Sequence, residues 1–332
     1  MQNKNCLLVG FGKMGKLYYK ILKDLKFKKI YVISKPLEKK YEKNSFFLDD
    51  IKKFKKKKIK IDLAVVATTA DVHDFYVKEL AYLNIKFIMV EKPISTSIKS
   101  AQEMIELCQK KRCTLSVNHS FRFNKAISKI KKINDSKELG KLISINVIGG
   151  NMGLSMNGVH FFEIFNYLTK NPISVVSAEI DKKILINPRG KKFKDNSGLI
   201  IGKNKKRQFI FINLLEQQGH GKTISFVFRN GIIYLDFLIR KMIISKRIKK
   251  NFRLDTRFYS TKTNAKIYKF KENIYESTKK SIKSLLIRKN HISAKEGLDS
   301  IKAVAAAIES GQKGGSQIFL KSLNKMKKFS WA

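Results

Sequence analysis

Two short polar segments, each delivered by an apolar run, hold the residues of this chain best suited to chemistry. The first is Gly10-Phe11-Gly12-Lys13-Met14-Gly15, which follows Cys6-Leu7-Leu8-Val9 and opens onto the helical pattern Lys16 to Leu25. A G-x-G-x-x-G turn between strand and helix suits a dinucleotide pyrophosphate. Gly10 permits the tight turn, Gly12 lets the backbone approach the phosphates, and Gly15 lets the helix pack closely on the strand. The helix N-terminus then offers free N–H groups and a positive dipole end, and Lys13 and Met14 within the glycine turn are also cofactor-binding candidates. The second segment is Glu91-Lys92-Pro93, delivered by the apolar run Phe87 to Val90. A lysine at a strand end beside a nicotinamide can take the hydroxyl proton of a secondary alcohol and return it in the reverse direction. Burial and the positive ring would lower its pKa from about 10.4 toward about 7–8. Pro93 locks the turn, and Glu91 orients Lys92 or bonds near the ribose.

Further candidates flank these two. His160 follows the Gly-rich stretch Gly149 to Asn157 and starts a helix with Phe161, Phe162, Ile164, Phe165 and Leu168 on its apolar face. A lone histidine on such a helix is often a satisfied core residue, but its place after a Gly-rich loop points to substrate binding or proton relay. Asn157 can add a hydrogen bond to a substrate. Asn118 suits the nicotinamide side and Arg122 a substrate anion, although either could equally be structural. Cofactor preference rests on the end of the second strand, where an acid would bond the ribose 2′-OH of NAD. Here the residues are Ser34-Lys35, which predicts NADP(H) as the preferred cofactor with NAD(H) possible.

The elements that must position these residues follow from periodicity. Strands are predicted at Cys6–Val9, Ile30–Ile33, Asp62–Ala67, Phe87–Val90 and Thr114–Val117, alternating with helices at Lys16–Leu25, Asp74–Leu83 and Ser97–Lys111. The run Lys52 to Lys60 reads as a basic loop. Such alternation means right-handed βαβ units and a doubly wound parallel sheet, a Rossmann domain over residues 1–120. Its ligand site lies past the carboxyl ends of the strands, where Gly10 to Gly15, Ser34-Lys35, Thr68-Thr69 and Glu91-Lys92-Pro93 all fall. Residues 121–332 read as an α+β domain with a mostly antiparallel open sheet. It contains helices at Lys125–Ile133, Val159–Leu168 and Ala294–Ser310. Its strands are Leu142–Ile148, Ser174–Ile180, Gly198–Ile201, Gln208–Leu215, Thr223–Arg229, Gly231–Phe237 and Gln317–Leu320, with Asn230-Gly231 as a hairpin turn. The stretch Lys246 to Asn273 is too basic and irregular to assign.

The 332 residues carry a formal net charge of +44, which raises nucleic acid or an acidic membrane as a partner. Yet lysine is spread over the whole chain and the densest run lacks interleaved aromatics and arginine. The expectation is no specific nucleic acid and no membrane partner, only salt-sensitive adhesion to polyanions. Cys6, Cys108 and Cys113 make no C-x-x-C pair and read as structural thiols of a reducing compartment, with no metal site. The first strand begins almost at once and no apolar run reaches a membrane span, so a cytoplasmic protein is expected. Apolar residues at both parities of Gln208–Leu215, Thr223–Phe228 and Ile232–Leu238 predict a homo-oligomer, a dimer or tetramer, paired through the second sheet.

These motifs together resemble the glucose-fructose oxidoreductase / inositol dehydrogenase (Gfo/Idh/MocA) family. The resemblance rests on the N-terminal G-x-G-x-x-G, Ala67-Thr68-Thr69 followed by His73, Glu91-Lys92-Pro93 and Phe121-Arg122-Phe123. Gly158-Val159-His160-Phe161-Phe162-Glu163 and Glu309-Ser310-Gly311 extend it over nearly the whole chain. It implies a Rossmann domain plus an α+β domain, and NAD(P)-dependent redox chemistry on a sugar, cyclitol or sugar nucleotide. Lys92 and His160 are then catalytic, Thr68, Thr69 and His73 lie at the cofactor, and the Lys92–Pro93 peptide is cis. The family usually writes D-x-G-x-H where this chain has Met156 in place of the aspartate. That departure keeps a second reading open, a non-catalytic NAD(P)- or sugar-binding regulator of the same fold.

Overall fold

The computed structural model describes residues 1–34, 44–150, 152–187, 189–252, 256 and 263–331. The chain begins with β1 (Asn5–Val9), α1 (Lys13–Asp24), β2 (Lys29–Ile33), β3 (Ser45–Leu48), α2 (Ile51–Lys56) and β4 (Leu63–Val66). It continues with α3 (His73–Tyr82), β5 (Phe87–Val90), α4 (Ile98–Lys110) and β6 (Thr114–Val117). All six strands pair in parallel in the order β3-β2-β1-β4-β5-β6. This is the doubly wound Rossmann order, which reverses between β1 and β4 and opens a ligand crevice there. Strands β4 and β5 are buried along their whole length, as a sheet covered on both faces demands.

Two elements of this sheet differ from the sequence reading. Strand β3 is not predicted at all, and the basic run is not wholly a loop, because its first turns form α2. Asp50 caps that helix by accepting a hydrogen bond from the Lys52 N–H at 3.0 Å, and Ile51 and Phe54 bury one face at i,i+3 spacing. The lysines between them point outward, so composition hid an amphipathic helix.

After β6 come α5 (Lys125–Asp135), β7 (Leu142–Ile148), a π turn (Leu154–Gly158), α6 (Val159–Thr169), β8 (Ile173–Ile180) and the short pair β9 (Leu185–Ile186) and β10 (Lys194–Asp195). Then follow β11 (Gly198–Asn204), β12 (Phe209–Asn213), β13 (Thr223–Phe228), β14 (Gly231–Asp236), β15 (Lys241–Arg247) and β16 (Thr263–Lys269). The chain ends with α7 (Ile274–Leu286), α8 (Ala294–Gln312) and β17 (Ile318–Phe319). Nine strands form one sheet in the order β16-β15-β14-β13-β7-β12-β11-β8-β17, antiparallel except for the β12–β7 pair. Ile145, Val147, Ile200, Ile210, Ile212, Ile224, Phe226, Ile233 and Leu235 are buried on one face, against which α6 packs.

Two compact units result. One comprises Met1–Ser120, Ile274–Ile301 and Asn324–Ala332; the other comprises Phe121–Asn273 and Lys302–Leu323. Helix α7, which the sequence reading leaves unassigned, adds Ile282, Leu285 and Leu286 to the core of the first unit beside Cys6, Leu8, Tyr18 and Leu22. Its buried face also carries Ser277, Thr278, Ser281 and Ser284, and these small polar residues blur the apolar period. The unassigned Lys246–Asn273 stretch supplies the end of β15 and all of β16. Cys6, Cys108 and Cys113 are free and buried. Among the described residues no helix is long and apolar enough to cross a membrane.

Candidate functional site

The parallel sheet brings four strand ends to one edge: Gly10 after β1, Ser34 after β2, Thr68 just beyond β4 and Glu91-Lys92-Pro93 after β5. At the first of these, Gly10 sits at φ +92°, where a side chain would press on the Ala67 carbonyl, and a Cβ on Gly15 would collide with the Gly10 carbonyl. Gly12 is different, because a Cβ there meets no atom within 4 Å. The fold does not require glycine at that position, whereas an incoming phosphate would. Gly12 caps α1 without a side-chain hydrogen bond, and no acid stands in the first turn. The α1 N-terminus therefore keeps N–H donors and a positive dipole end beside an open cradle. Lys13 is exposed in that turn and Met14 packs against the core.

The Glu91-Lys92-Pro93 turn is held from beneath. Tyr18 Oη donates to Glu91 Oε1 at 2.7 Å and Asn118 Nδ2 donates to the same oxygen at 2.8 Å, all three residues being buried. Burial and the adjacent carboxylate hold the Tyr18 hydroxyl well above the usual phenol range, so it stays a donor. His73 is fully buried, its Nδ1 lying 3.1 Å from the Pro93 carbonyl and 3.3 Å from that of Ile94, its Nε2 3.2 Å from the Thr68 carbonyl. It ties the end of β4 to the turn after β5, and so holds these two strand ends together. Burial lowers its pKa against the pull of these carbonyls and Glu91. The Lys92–Pro93 peptide is cis and Lys92 is half-buried. Thr69 Oγ1 donates to Asp71 Oδ1 at 2.5 Å.

Two buried oxygens at this edge, Thr68 Oγ1 and Asn118 Oδ1, have no hydrogen-bond partner among the described residues. Buried polar atoms are rarely left so, and a carboxamide or ribose arriving at the strand ends would satisfy them. Together with the cradle at Gly12, they fit a dinucleotide. Ser34 lines a cleft of about 330 Å³ with Gly10, Phe11, Ile33, Asp49, Asp50, Thr68 and Tyr76. No acid stands at the end of β2 itself, but two carboxylates reach this cleft from the end of β3. Both are engaged, Asp49 with the Lys53 ammonium at 2.7 Å and Asp50 with the α2 N-terminus. The Asp-Asp pair ahead of Ile51 was a legible helix-start signal. Lys35 and Asn151 lie outside the described residues.

In the second unit His160 opens α6, half-buried, with its ring 6.2 Å from that of Phe121. The π turn before it is pinned by Asp195, a residue that sequence reasoning missed. Its Oδ1 accepts from the Ser155 N–H at 2.9 Å and from Asn196, its Oδ2 from the Met156 N–H at 2.9 Å. Gly153, at φ +72°, makes room for this carboxylate. Burial pushes the Asp195 pKa up, against the N–H groups that pull it down. Asn157 donates its amide to the Met152 carbonyl, closing the turn on itself. Arg122, expected to meet a substrate anion, is held inside the second unit. It is buried, donates from Nε to Glu163 Oε1 at 2.6 Å, and lies 4.2 Å from the centre of the Tyr167 ring. Its charge is used inside the protein. Glu163 sits three residues after His160, so one α6 face turns the Arg122 guanidinium inward.

Comparison with known proteins agrees with this architecture. Residues 4–119 match the family described as "Oxidoreductase family, NAD-binding Rossmann fold". The uncharacterized oxidoreductase YrbE of Bacillus subtilis (strain 168) is 29% identical over 141 residues, which is 39% of this chain and 40% of that protein. The chain thus matches less than half of the length of that curated relative. Among solved structures, an oxidoreductase from Agrobacterium radiobacter in complex with NAD+, L-tartaric acid and magnesium superposes with a TM-score of 0.78 at 15% identity, covering 96% of this chain and 99% of the other. The transcriptional regulator Gal80p of Kluyveromyces lactis gives 0.79 at 14% identity over 96% and 92%. At such identities the likeness is one of fold. The glycine cradle, the Glu91-Lys92-Pro93 turn and the match over residues 4–119 agree in making the first 119 residues similar to the NAD-binding Rossmann domain of the Gfo/Idh/MocA oxidoreductases.

Proposed function

We propose that this protein is an NAD(P)-dependent oxidoreductase acting on a CH–OH group of a sugar, cyclitol or sugar nucleotide. The observation that carries the reading is the anchored turn after β5. Lys92 stands between a buried Glu91, fixed by Tyr18 and Asn118, and a Pro93 whose carbonyl meets His73, and this support of its backbone at the strand ends supports the reading. Bound cofactor supplies the hydride acceptor or donor. Lys92 is the proton carrier in this reading, taking the hydroxyl proton on oxidation and returning it on reduction. His160 is the substrate contact at the head of α6, held in place by the Asp195-pinned turn. NADP(H) is the preferred cofactor, because Ser34 can donate to a 2′-phosphate while both nearby carboxylates are already engaged.

The test is cofactor reduction at 340 nm over a panel of sugars and sugar nucleotides. Lys92→Ala should lower turnover about 10²–10⁴-fold with cofactor binding intact, the usual share of a general acid or base. Equal redox change in both proteins removes Lys92 from its role. Two observations favour a second reading, that of a cofactor- or sugar-responsive regulator. Met156 stands where the family writes an aspartate, and one solved relative of the fold is a transcriptional regulator. That reading expects no turnover with any member of the panel, and a partner interaction that responds to cofactor.

A further inference from the structure

We propose that Lys222 binds an anionic substituent, a carboxylate or a phosphate, on the molecule that the second unit recognises; this deepens the proposed function and rests on that unit being the substrate domain. Lys222 stands immediately before β13, its carbonyl accepting from the Phe237 N–H at 3.0 Å. Its ammonium lies 3.8 Å from the centre of the Phe237 ring and 4.6 Å from that of Phe121. These two rings are themselves 5.7 Å apart, and Phe270 packs edge-on against Phe237. The side chain is only 16% exposed, and its carboxylate contact is Glu272 Oε1 at 3.4 Å, on a residue 49% exposed. An ammonium has three N–H donors, and neither a ring face nor one distant carboxylate oxygen uses them up.

The position matters as much as the environment. The end of the sheet that carries Lys222 also carries the Gly149 end of β7, since a Cβ on Gly149 would lie 3.7 Å from Lys222 Cα. The Gly-rich loop runs from there to His160, and Phe121 touches both sides, its ring 6.2 Å from that of His160. One aromatic ring therefore separates the ammonium from the proposed substrate contact. Arg122, the cation that the sequence offered for this task, is committed to Glu163 and Tyr167. Burial also lowers the Lys222 pKa, with Glu272 acting against it, so an arriving anion would replace solvation that the rings cannot supply.

The experiment is calorimetric titration of the cofactor-loaded protein with glucose, glucuronate and glucose 6-phosphate at millimolar concentration and moderate salt, which separates carboxylate from phosphate. Wild type should bind at least one of the charged sugars roughly tenfold more tightly than glucose. Lys222→Met, which keeps the packing between the rings, should abolish that contrast, and Lys222→Arg should keep it. Lys132→Met, on the exposed face of α5, controls for adhesion to a basic surface and should change nothing. Equal binding of all three sugars, no binding of either anion, or a contrast that survives Lys222→Met overturns the proposal. Turnover is not the readout, so loss of the contrast leaves the oxidoreductase reading standing. A contrast without turnover removes that reading alone.

Discussion

Glu91 and His73 do their work without facing solvent. One carboxylate oxygen collects Tyr18 and Asn118, and one imidazole spans the carbonyls of Thr68, Pro93 and Ile94. The His73 pKa is lowered from its ordinary 6.5 by burial, so the unfolded chain takes up the proton first as pH falls. The stability this represents is fully present above the unfolded value and is lost as pH drops through the folded one, at about 1.4 kcal/mol per pH unit between them. Denaturant unfolding should lose stability as pH falls below about 6.5, the unfolded value, and His73→Gln should lessen that loss. Parallel curves for the two proteins would disprove the assignment. At the ribose end, removing a carboxylate from the cleft should favour the extra phosphate. Asp49→Asn should raise the ratio of NADPH to NADH affinity, and Ser34→Asp should reverse it. Fluorescence titration gives both constants, and wild type binding NADH tenfold more tightly, a difference of ~1.4 kcal/mol, would count against the NADP(H) preference.

Among the elements, the β1–α1 turn separates what folding needs from what binding needs. Gly15 touches the Gly10 carbonyl and Gly12 touches nothing. Gly15→Ala should therefore destabilise the first unit, by roughly 1–3 kcal/mol as overpacking does, with cofactor affinity lost as a consequence. Gly12→Ala should leave the unfolding midpoint within about 0.5 kcal/mol of wild type, the range of an open surface change, and still weaken cofactor binding. Thermal unfolding with and without NADP(H) distinguishes the two. If Gly12→Ala binds as wild type does, the cradle is not where the phosphates lie.

At the scale of the whole molecule, one face of the nine-stranded sheet carries partly exposed apolar residues. Leu199 is 39% exposed, Ile201 42%, Phe211 38% and Ile232 39%, and Ile201 and Phe211 are register partners across β11 and β12. We propose that these apolar residues, on a chain of net charge +44, form a surface for a second copy. Sedimentation at micromolar concentration and moderate salt should give a dimer or tetramer. The double variant Ile201→Lys, Phe211→Lys should give a monomer with unchanged circular dichroism. A monomeric wild type would remove the sheet from this role.

The sequence by itself determined the Rossmann half and its chemistry-bearing corners. There the strand period, the glycine spacing and the Glu91-Lys92-Pro93 triplet are local signals, set by one turn of backbone and readable in order along the chain. It also gave the mostly antiparallel character of the second sheet, because alternation of apolar residues is written strand by strand. Tertiary structure alone decided which polar residues meet. Tyr18 lies 73 positions from Glu91, and Asp195 lies 40 from Ser155. No local pattern encodes such pairings. The same physics moved Arg122 from a substrate contact to a buried ion pair with Glu163, 41 positions away, since an unpaired guanidinium cannot be buried cheaply. It brought the end of β3 beside Ser34 as well, because parallel neighbours in a sheet are joined only through long connections and their strand ends converge in space without converging in sequence.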